Sequence, residues 1–255
     1  MDLREGRNIQ EQGKEKASAF MNWSGGKDSA LALHKILNAG QVRIAALLTS
    51  INATHNRISM HGVRRELLEA QAGALNIPLH TVELPELPDM KEYEVLMIRE
   101  VESLRRSGCS QAIFGDIFLE DLRRYREEKL GTVGVDCLFP LWKTDTRMLV
   151  EEFIALGYRS VVVCVSERSL DRSFCGRVID EDFLRDLPPG VDPCGENGEF
   201  HSYVYEGPLF RQPIPFRKGE LRYRKYDAPK QSAEPAAPVQ DESSYGFYFR
   251  DLIPV

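Results

Sequence analysis

Short apolar runs alternate with longer amphipathic stretches from about residue 17 to about residue 166. Runs such as "VRIAALLTS" at 42–50 are apolar almost throughout, which is typical of parallel strands that are buried on both faces. The stretches between the runs, such as "DMKEYEVLMIREVESLRRSG" at 89–108, repeat apolar residues at helical spacing. Strands that alternate with helices of this length form right-handed βαβ units. The pattern therefore predicts an α/β fold with a doubly wound, Rossmann-like parallel sheet.

The same pattern places the elements of this first domain. The helix at 27–40 should end at Gly40, because glycine is the usual residue just after a helix. Thr144 is the expected N-cap of the helix at 144–157. Four residues at helical spacing mark the face expected for the helix at 62–76: Leu67, Ala70, Gln71 and Ala74. Strands are expected at 18–23, 42–50, 78–85, 111–117, 137–142 and 158–166.

The rhythm changes after residue 166, where turn residues dominate and later runs alternate as β-strands do. "FHSYVYE" at 200–206 is an expected strand, and 219–226 and 245–252 are expected to form an antiparallel hairpin. A proline-rich, polar insertion at about 228–244 is expected to be a flexible tip. We therefore predict three parts: a polar tail at 1–16, an α/β domain at 17–166, and a smaller α+β or mainly β domain at 167–255.

Composition narrows the class of protein. The chain has 255 residues and contains no apolar run long enough to span a membrane, and its polar N-terminus lacks the apolar core of a signal peptide. Its five cysteines are scattered without a CxxC pair, which favours a reducing cytoplasmic location over a disulfide or zinc framework. The formal net charge of −6 makes nucleic acid an unlikely partner, because dedicated nucleic-acid binders usually carry a basic surplus.

The first strand leads into "SGGKDS" at 24–29 and then into the first helix. The spacing differs from that of a Walker A motif, so the Walker mechanism does not transfer. Glycines let backbone N–H groups approach an anion, and the helix adds its unpaired first-turn amides and its positive dipole end. Ser24 and Ser29 supply hydroxyl donors, and Lys27 supplies a compact positive charge. The loop is therefore expected to bind phosphate, with Asp28 either capping its backbone or holding Mg²⁺.

This segment resembles the pyrophosphate loop of the ATP pyrophosphatases, which share the adenine-nucleotide α-hydrolase (HUP-type) fold. The resemblance implies that the loop grips the β- and γ-phosphates of ATP and that ATP is cleaved between its α- and β-phosphates. The alternative is a glycine turn before an ordinary helix. The expected nucleotide contacts are Ser24, Gly25, Gly26, Lys27, Asp28 and Ser29, together with His61 and Gly115.

Further segments resemble the diphthine–ammonia ligase family over most of residues 18–210. They are "SMHGVRRELLEAQAGALNIPL", "IFGDI", "LFPLW", "CGENGEF" and "GPLF". The resemblance implies that ATP adenylates an acceptor carboxylate, which ammonia then attacks to give an amide, AMP and pyrophosphate. The family acceptor is diphthine, the modified histidine of elongation factor 2. The chain departs from the family pattern GEGGEYET at 195–202, which reads GENGEFHS, so the acceptor carries over less well than the chemistry.

Four residues are the expected catalytic set: Lys27, Asp116, Glu196 and Glu199. Glu196 and Glu199 are expected to contact magnesium or substrate, or to act as a base that takes a proton from incoming ammonia. The alternative is a solvated acidic turn. Asp116 follows the fourth strand at the carboxyl edge of the sheet. It either faces the phosphates through Mg²⁺, which Asp28 would share, or caps the next helix. Gly115 is expected to let the nucleotide or acceptor approach the backbone.

Several polar residues keep two interpretations. His61 either lines the nucleotide or acceptor site or is a loop residue, and His201 is either a packing or a catalytic residue. Cys194 has no neighbour in sequence that would clearly activate a nucleophilic thiol. The arginines of "EDLRRYREEK" either form a charged helix face or contact pyrophosphate. They are Arg123, Arg124 and Arg126.

The function expected from these residues is an ATP-dependent carboxylate–ammonia ligase that uses ATP and Mg²⁺. Its acceptor would be a carboxylate on a small molecule or on a modified protein such as elongation factor 2. A tRNA-modifying adenylase and an adenine-nucleotide sensor without turnover are the alternatives. The ammonia source and the oligomeric state, including a homodimer, stay open at this point.

Overall fold

The structure, a computed structural model, describes residues 16–86, 88–227 and 244–255. The expected tail at 1–16 and insertion at about 228–244 therefore lie almost wholly outside the described residues. The first part of the chain holds these elements: β1 (Ala17–Asn22), α1 (Lys27–Ala39), β2 (Val42–Asn52), β3 (Arg57–Ile58), α2 (Arg65–Leu75), β4 (Leu79–Leu84), α3 (Met90–Arg106), β5 (Cys109–Ile113), α4 (Glu120–Gly131), β6 (Asp136–Leu138) and α5 (Thr146–Ala155). The second part holds β7 (Arg159–Ser166), a 3₁₀ turn (Arg172–Phe174), α6 (Glu181–Asp186), β8 (Phe200–Glu206), β9 (Phe216–Asp227) and β10 (Ser244–Pro254).

Five strands of the first sheet are parallel, in the spatial order β4-β2-β1-β5-β6. The short β3 pairs antiparallel with the end of β2. The chain builds outward from β1 on one side and then returns to add β5 and β6 on the other. This reversal creates a topological switch point at the carboxyl end of β1, where such sheets bind ligands. The predicted Rossmann-like α/β fold is confirmed.

Helix ends show where local sequence decides the structure. Gly40 has the predicted left-handed conformation (φ 64°), and its N–H donates to the carbonyls of Ile36 and Leu37. The predicted N-cap Thr144 is wrong, because α5 is capped by Asp145, whose carboxylate accepts from the N–H of Met148. Both residue types cap helices well, so sequence alone could not separate these neighbours.

The buried face of α2 was predicted with one error. Leu67, Gln71 and Ala74 are buried, whereas Ala70 is exposed. The helix also buries Leu68 and Ala72, so the face that packs on the sheet is rotated away from Ala70.

The second sheet is antiparallel, in the order β8-β7-β10-β9. The hairpin predicted near the C-terminus is confirmed as β9 paired with β10. The assignment of 158–166 to the parallel sheet is wrong, because β7 pairs antiparallel with β8 and β10. β7 is central and buried along almost its whole length, so its apolar run matches that of a parallel strand. The division into domains at residue 166 stays a prediction.

The two faces of the parallel sheet contact different surroundings. Phe20 and Leu48 point to a core shared with α3, whereas Met21 and Leu47 point to a larger core. That larger core also contains β7 and β8 residues such as Val163. The second sheet therefore packs against the first, which brings β8 close to the carboxyl end of β1. Among the described helices, none is long and apolar enough to cross a membrane.

Candidate active site

A cavity of about 910 Å³ opens at the carboxyl ends of β1, β2, β4 and β5. One end is mainly apolar and is lined by Leu48, Leu84, Tyr93, Met97 and Phe114. The middle is lined by the segment 24–29, here called the glycine loop, and by part of 194–199, here called the glutamate loop. The far end is lined by the β9–β10 hairpin. Volumes of this size are typical of small-molecule sites.

The glycine loop has the conformation that its sequence predicts. Gly25 has a φ of 77°, in the region that favours glycine. Gly26 is the N-cap of α1 and has no side chain to cap the helix. Ser29 closes the turn by donating from Oγ to the Gly26 carbonyl (2.9 Å), and the Gly26 N–H donates to Ser24 Oγ (3.2 Å). The result is an uncapped helix N-terminus that faces the cavity, a suitable place for an anion.

A buried glutamine fixes the glycine loop from behind. Gln71 on α2 has no solvent exposure. Its Oε1 accepts from Trp23 Nε1 (2.9 Å), and its Nε2 donates to the carbonyls of Gly25 (3.0 Å) and Val204 (2.6 Å). A Cβ on Gly25 would lie 2.7 Å from Gln71 Oε1, so the glycine is needed for this close approach.

Strand β8 holds the other side of the loop. The Val204 N–H donates to the Gly25 carbonyl (2.9 Å), and the Lys27 N–H donates to Ser202 Oγ (3.1 Å). The loop is thus held between the two sheets by residues distant in sequence. This arrangement fixes the loop before any ligand binds, which lowers the ordering cost of binding.

Lys27 is the first residue of α1, and only 3% of it is exposed. Its ammonium group donates to Asp28 Oδ2 (2.8 Å) and to the carbonyl of Cys194. Burial alone would lower the pKa of Lys27, but the neighbouring Asp28 and the more distant Glu196 help to raise it above its usual value. Lys27 is therefore a charged group that joins the glycine loop to the glutamate loop.

Glu196 and Asp116 place carboxylates beside Lys27 and Asp28. Glu196 Oε1 accepts from the N–H of Ile117 (2.7 Å). Burial, with the nearby Asp28 and Asp116, raises the pKa of Glu196 to about 7. Burial also raises the pKa of Asp116, against the effect of the Arg126 guanidinium at 2.7 Å. A carboxyl group that titrates near neutral pH can exchange protons with substrate at little cost.

The carboxylate of Glu199 has different hydrogen-bond partners from that of Glu196. It is buried, and its carboxylate accepts from the N–H groups of Asp192 (3.1 Å) and Asn197 (2.9 Å) and from Asn197 Nδ2 (3.0 Å). It closes its own loop and, unlike Glu196, does not line the cavity. We therefore assign Glu199 to positioning the glutamate loop, in place of the substrate contact expected from sequence.

His61 and His201 lie side by side in the cavity wall, with ring centroids 4.5 Å apart. Burial lowers the pKa of His61 to about 4, and burial lowers the pKa of His201 well below its usual value. The charge of Lys27 acts in the same direction on both. His61 Nε2 lies close to the glycine loop, 3.4 Å from where a Cβ on Gly26 would be. Two neutral imidazoles therefore border the loop.

The remaining candidate residues differ in their surroundings. Gly115 lines the cavity, and a Cβ there would lie 2.9 Å from the backbone of Asp28, so the glycine also allows the close approach of α1 to the end of β5. Burial raises the pKa of the Cys194 thiol, which opposes a nucleophilic role. Arg124 pairs with an exposed Asp121 on the outer face of α4, whereas Arg126 lines the cavity.

The third arginine of that helix belongs to an aromatic stack. The Arg123 guanidinium lies 4.9 Å from the ring centroid of Phe139 and 4.7 Å from that of Trp142. Over the described ranges, no group of three or more His, Cys, Asp or Glu side chains is arranged to hold a metal. The expected magnesium ligands Asp28 and Asp116 both line the cavity but belong to no such group.

Comparison with models of known protein families shows which family the chain belongs to. The model of the diphthamide synthase N-terminal domain matches residues 16–137, and that of the C-terminal domain matches residues 145–228. The chain belongs to the diphthamide synthase family. The resemblance noted from the sequence is confirmed.

Named relatives in the diphthamide synthase family are similar over most of their length. The chain is 25% identical to the diphthine–ammonia ligase of Homo sapiens over 228 residues, which is 80% of this chain and 85% of the relative. It is 26% identical to that of Danio rerio over 214 residues, which is 75% of this chain and 83% of the relative. A solved structure, the U34-tRNA thiolase NcsA of Methanococcus maripaludis with its [4Fe-4S] cluster, is similar at 16% identity and a TM-score of 0.35. It covers 59% of this chain and 60% of the thiolase, a likeness too distant to bear on function.

Sequence reasoning missed two residues of this diphthamide synthase site, Gln71 and Ser202. Both are buried polar residues that contact the glycine loop. A signal for Gln71 was present, because a glutamine on the apolar face of a helix must find partners when buried. Ser202 gave no such signal, because it lies in a strand 175 residues from its partner Lys27.

Proposed function

We propose that this protein is an ATP-dependent ligase that adenylates an acceptor carboxylate and then amidates it with ammonia, releasing pyrophosphate and AMP. The observation that carries the proposal is the uncapped N-terminus of α1 above the buried Lys27, which opens into a cavity shared with Glu196. The relatives named diphthine–ammonia ligase support the same chemistry.

The fit to ATP rests on the shape and charge of the cavity. The glycine loop offers amides of the first turn of α1, the Ser24 hydroxyl and the charge of Lys27 to the β- and γ-phosphates. The apolar end of the cavity, with Tyr93 and Phe114, suits an adenine ring. Asp28 and Asp116 would hold Mg²⁺ together with the phosphates, because Mg²⁺ is usually bound by one or two carboxylates plus substrate oxygens.

The first step joins the acceptor to the nucleotide. A carboxylate oxygen of the acceptor attacks the α-phosphorus of ATP, and pyrophosphate leaves with the electrons of the α–β bridging bond. Lys27 and the amides of the glycine loop stabilise the charge that collects on the leaving pyrophosphate. The fixed loop supports this step because its donors need no reorganisation during the reaction.

The second step forms the amide. Ammonia attacks the carbonyl carbon of the activated acceptor, and AMP leaves with the electrons of the carbon–oxygen bond. Ammonia loses one proton in this step, and Glu196 would accept it. A pKa of about 7 suits this exchange near neutral pH. The neighbouring His61 and His201 pair would add no positive charge beside the incoming ammonia.

Lys27→Ala is the direct test. With ATP, ammonium and a panel of acceptor carboxylates that includes small acids and elongation factor 2 bearing diphthine, we expect the unmodified protein to form AMP and pyrophosphate in equal amounts with one of the acceptors. Lys27→Ala should lower AMP formation by about 100-fold or more, because it removes a charge aimed at the leaving group. Lys35→Ala is the matched control, because Lys35 lies on the same helix in an ion pair with Glu152.

Two results would contradict the proposal. ADP as the nucleotide product would mean that a different phosphate bond is broken. Equal AMP formation by Lys27→Ala and Lys35→Ala would mean that the glycine loop does not act on ATP.

A further inference from the structure

The far end of the cavity is formed by one face of the β9–β10 hairpin. Arg222, Arg224 and Tyr226 alternate along β9 and line the cavity, and Phe247 and Phe249 do so on β10. Cross-strand pairs join Phe247 to Arg224 and Phe249 to Arg222. This surface, here called the hairpin face, therefore mixes guanidinium groups with aromatic rings at adjacent positions.

The aromatic residues of the hairpin face form a continuous row. The rings of Tyr226 and Phe247 have centroids 6.1 Å apart, and those of Phe247 and Phe249 are 6.2 Å apart. All three side chains are half-buried and line the cavity. Aromatic rings that line a cavity can hold a planar group by stacking.

The positive charges of Arg222 and Arg224 are balanced by neighbouring groups to different extents. Arg222 donates through Nε and Nη2 to Glu220 Oε2, at 3.0 and 2.9 Å, so its charge is partly balanced. Arg224 is exposed, and its guanidinium forms no hydrogen bond or ion pair with another side chain within 16–86, 88–227 and 244–255. The hairpin face thus presents a net positive charge beside its rings, in a chain whose formal net charge is −6.

The hairpin face is separated from the glycine loop. His61 lies against Gly26, and the next residue, Gly62, lies against Phe249, whose ring is 3.0 Å from where a Cβ on Gly62 would be. The segment around His61 therefore stands between the phosphate site and the hairpin. The apolar lining residues Leu48, Leu84 and Phe114 lie in the second half of β2, at the end of β4 and just after β5. An adenine base bound there, with its phosphates at the glycine loop, would not need the arginines of the hairpin face.

We propose that the hairpin face binds the acceptor, and that the acceptor is a small acid with a planar ring and at least one anionic group besides the carboxylate that reacts. The ring stacks on Tyr226, Phe247 and Phe249, and the second anionic group pairs with Arg224. A cationic group such as a quaternary ammonium is disfavoured there because it would face an uncompensated guanidinium. This inference rests on the proposed ligase function, whose acceptor it specifies.

Three benzoic acids of matched shape test the inference by ligand-observed NMR titration. Benzoate has one carboxylate on its ring. Isophthalate adds a second carboxylate at the meta position, and 3-(trimethylammonio)benzoate adds a quaternary ammonium group at the same position. The protein is first saturated with α,β-methylene-ATP, so that the acids cannot bind the glycine loop. We expect isophthalate to bind about tenfold more tightly than benzoate, as a charge-assisted contact with an exposed arginine allows. The trimethylammonio compound should bind no more tightly than benzoate.

Two variants on β9 distinguish a direct contact with Arg224 from a general effect of positive charge on the protein. Arg224→Gln should bring isophthalate to the affinity of benzoate. Lys225→Gln removes the same charge from an exposed residue on the opposite face of β9 and should keep the tenfold preference. Melting temperatures of both variants should match the unmodified protein, because both side chains are exposed.

The outcomes distinguish this inference from the proposed function. Tightest binding of the trimethylammonio compound, or equal loss of preference in both variants, would overturn the inference alone. Weaker binding of α,β-methylene-ATP to Arg224→Gln, with the isophthalate preference retained, would assign the arginine to the nucleotide and also overturn it. Failure of the unmodified protein to bind α,β-methylene-ATP would instead contradict the proposed function.

Discussion

Replacement of Gln71 by leucine should destabilise the protein strongly, although Gln71 contacts no ligand. The side chain has no solvent exposure and bonds three partners, Trp23, Gly25 and Val204. Leucine has a similar volume and suits a helix, so neither a large cavity nor poor helix propensity would explain a loss of stability. The loss would come from the hydrogen bonds.

The expected loss of stability follows from the groups that Gln71→Leu would leave without a hydrogen bond. The indole N–H of Trp23 and the carbonyl of Val204 each lose a bond inside the core, at about 1–3 kcal/mol for each unpaired group. The Gly25 carbonyl loses less, because it still accepts from the Val204 N–H at 2.9 Å. Some relaxation toward other partners is usual, so we expect Gln71→Leu to lower the free energy of unfolding by about 2–4 kcal/mol.

Equilibrium unfolding in urea, followed by circular dichroism, measures this change. Ala70→Leu is the matched control, because it adds the same side chain at the adjacent, exposed position of α2. The control should stay within about 0.5 kcal/mol of the unmodified protein. If Gln71→Leu also stayed within that margin, the three hydrogen bonds would not hold the glycine loop, and the account of a preformed loop would be wrong.

Two further predictions concern charged groups at the site. Burial raises the pKa of Glu196 from 4.5 to about 7, so the folded state binds its proton more tightly and stability falls as pH rises between those values, by at most about 3 kcal/mol. Glu196→Gln should remove that slope in urea unfolding at several pH values, and an unchanged slope would contradict it. Asp251 accepts from Arg57 and Arg64, at 2.7 to 3.0 Å, and so ties residues 57–64 to β10. Asp251→Asn should cost about 2 kcal/mol and speed proteolysis within 57–64, and resistance equal to that of the unmodified protein would show that the ion pairs do not restrain the segment.

Features that depend on neighbouring residues could be predicted from sequence. The start of α1 at Lys27 and its end at Gly40 follow from a glycine turn and a left-handed glycine. The pairing of β9 with β10 follows from alternation on both sides of a polar insertion. In each case the deciding atoms lie within a few residues of one another or in adjacent strands.

Sheet membership was harder to predict. β7 is apolar because both of its faces are covered, and burial of this kind does not depend on whether its neighbours run parallel or antiparallel. The pairing of β7 is decided by β8 and β10, which follow it in the chain by tens of residues. A single apolar run carries no information about such partners.

The site divides in the same way. The glycine loop is one contiguous segment whose residue types predict phosphate binding. The residues that hold the loop in place come from α2 and β8, which are distant from it in sequence. The two glutamates of the glutamate loop show the limit most clearly. Both occupy a turn-rich segment three residues apart, yet Glu199 bonds to its own loop and Glu196 faces the cavity. Only the path of the backbone through the turn decides which carboxylate faces the cavity.

The contact between Lys27 and the glutamate loop links the two steps of the proposed reaction. Lys27 holds the carbonyl of Cys194, and its charge lowers the pKa of Glu196, against burial and two carboxylates that raise it. Phosphates bound at the glycine loop would offset the charge of Lys27, so Glu196 should be more fully protonated while ATP is bound. Departure of pyrophosphate would restore the effect of Lys27 and lower the pKa of Glu196. The carboxylate would then be ready to accept a proton at the stage when ammonia must lose one, so in the proposed reaction the same lysine would favour the first step and prepare the base for the second.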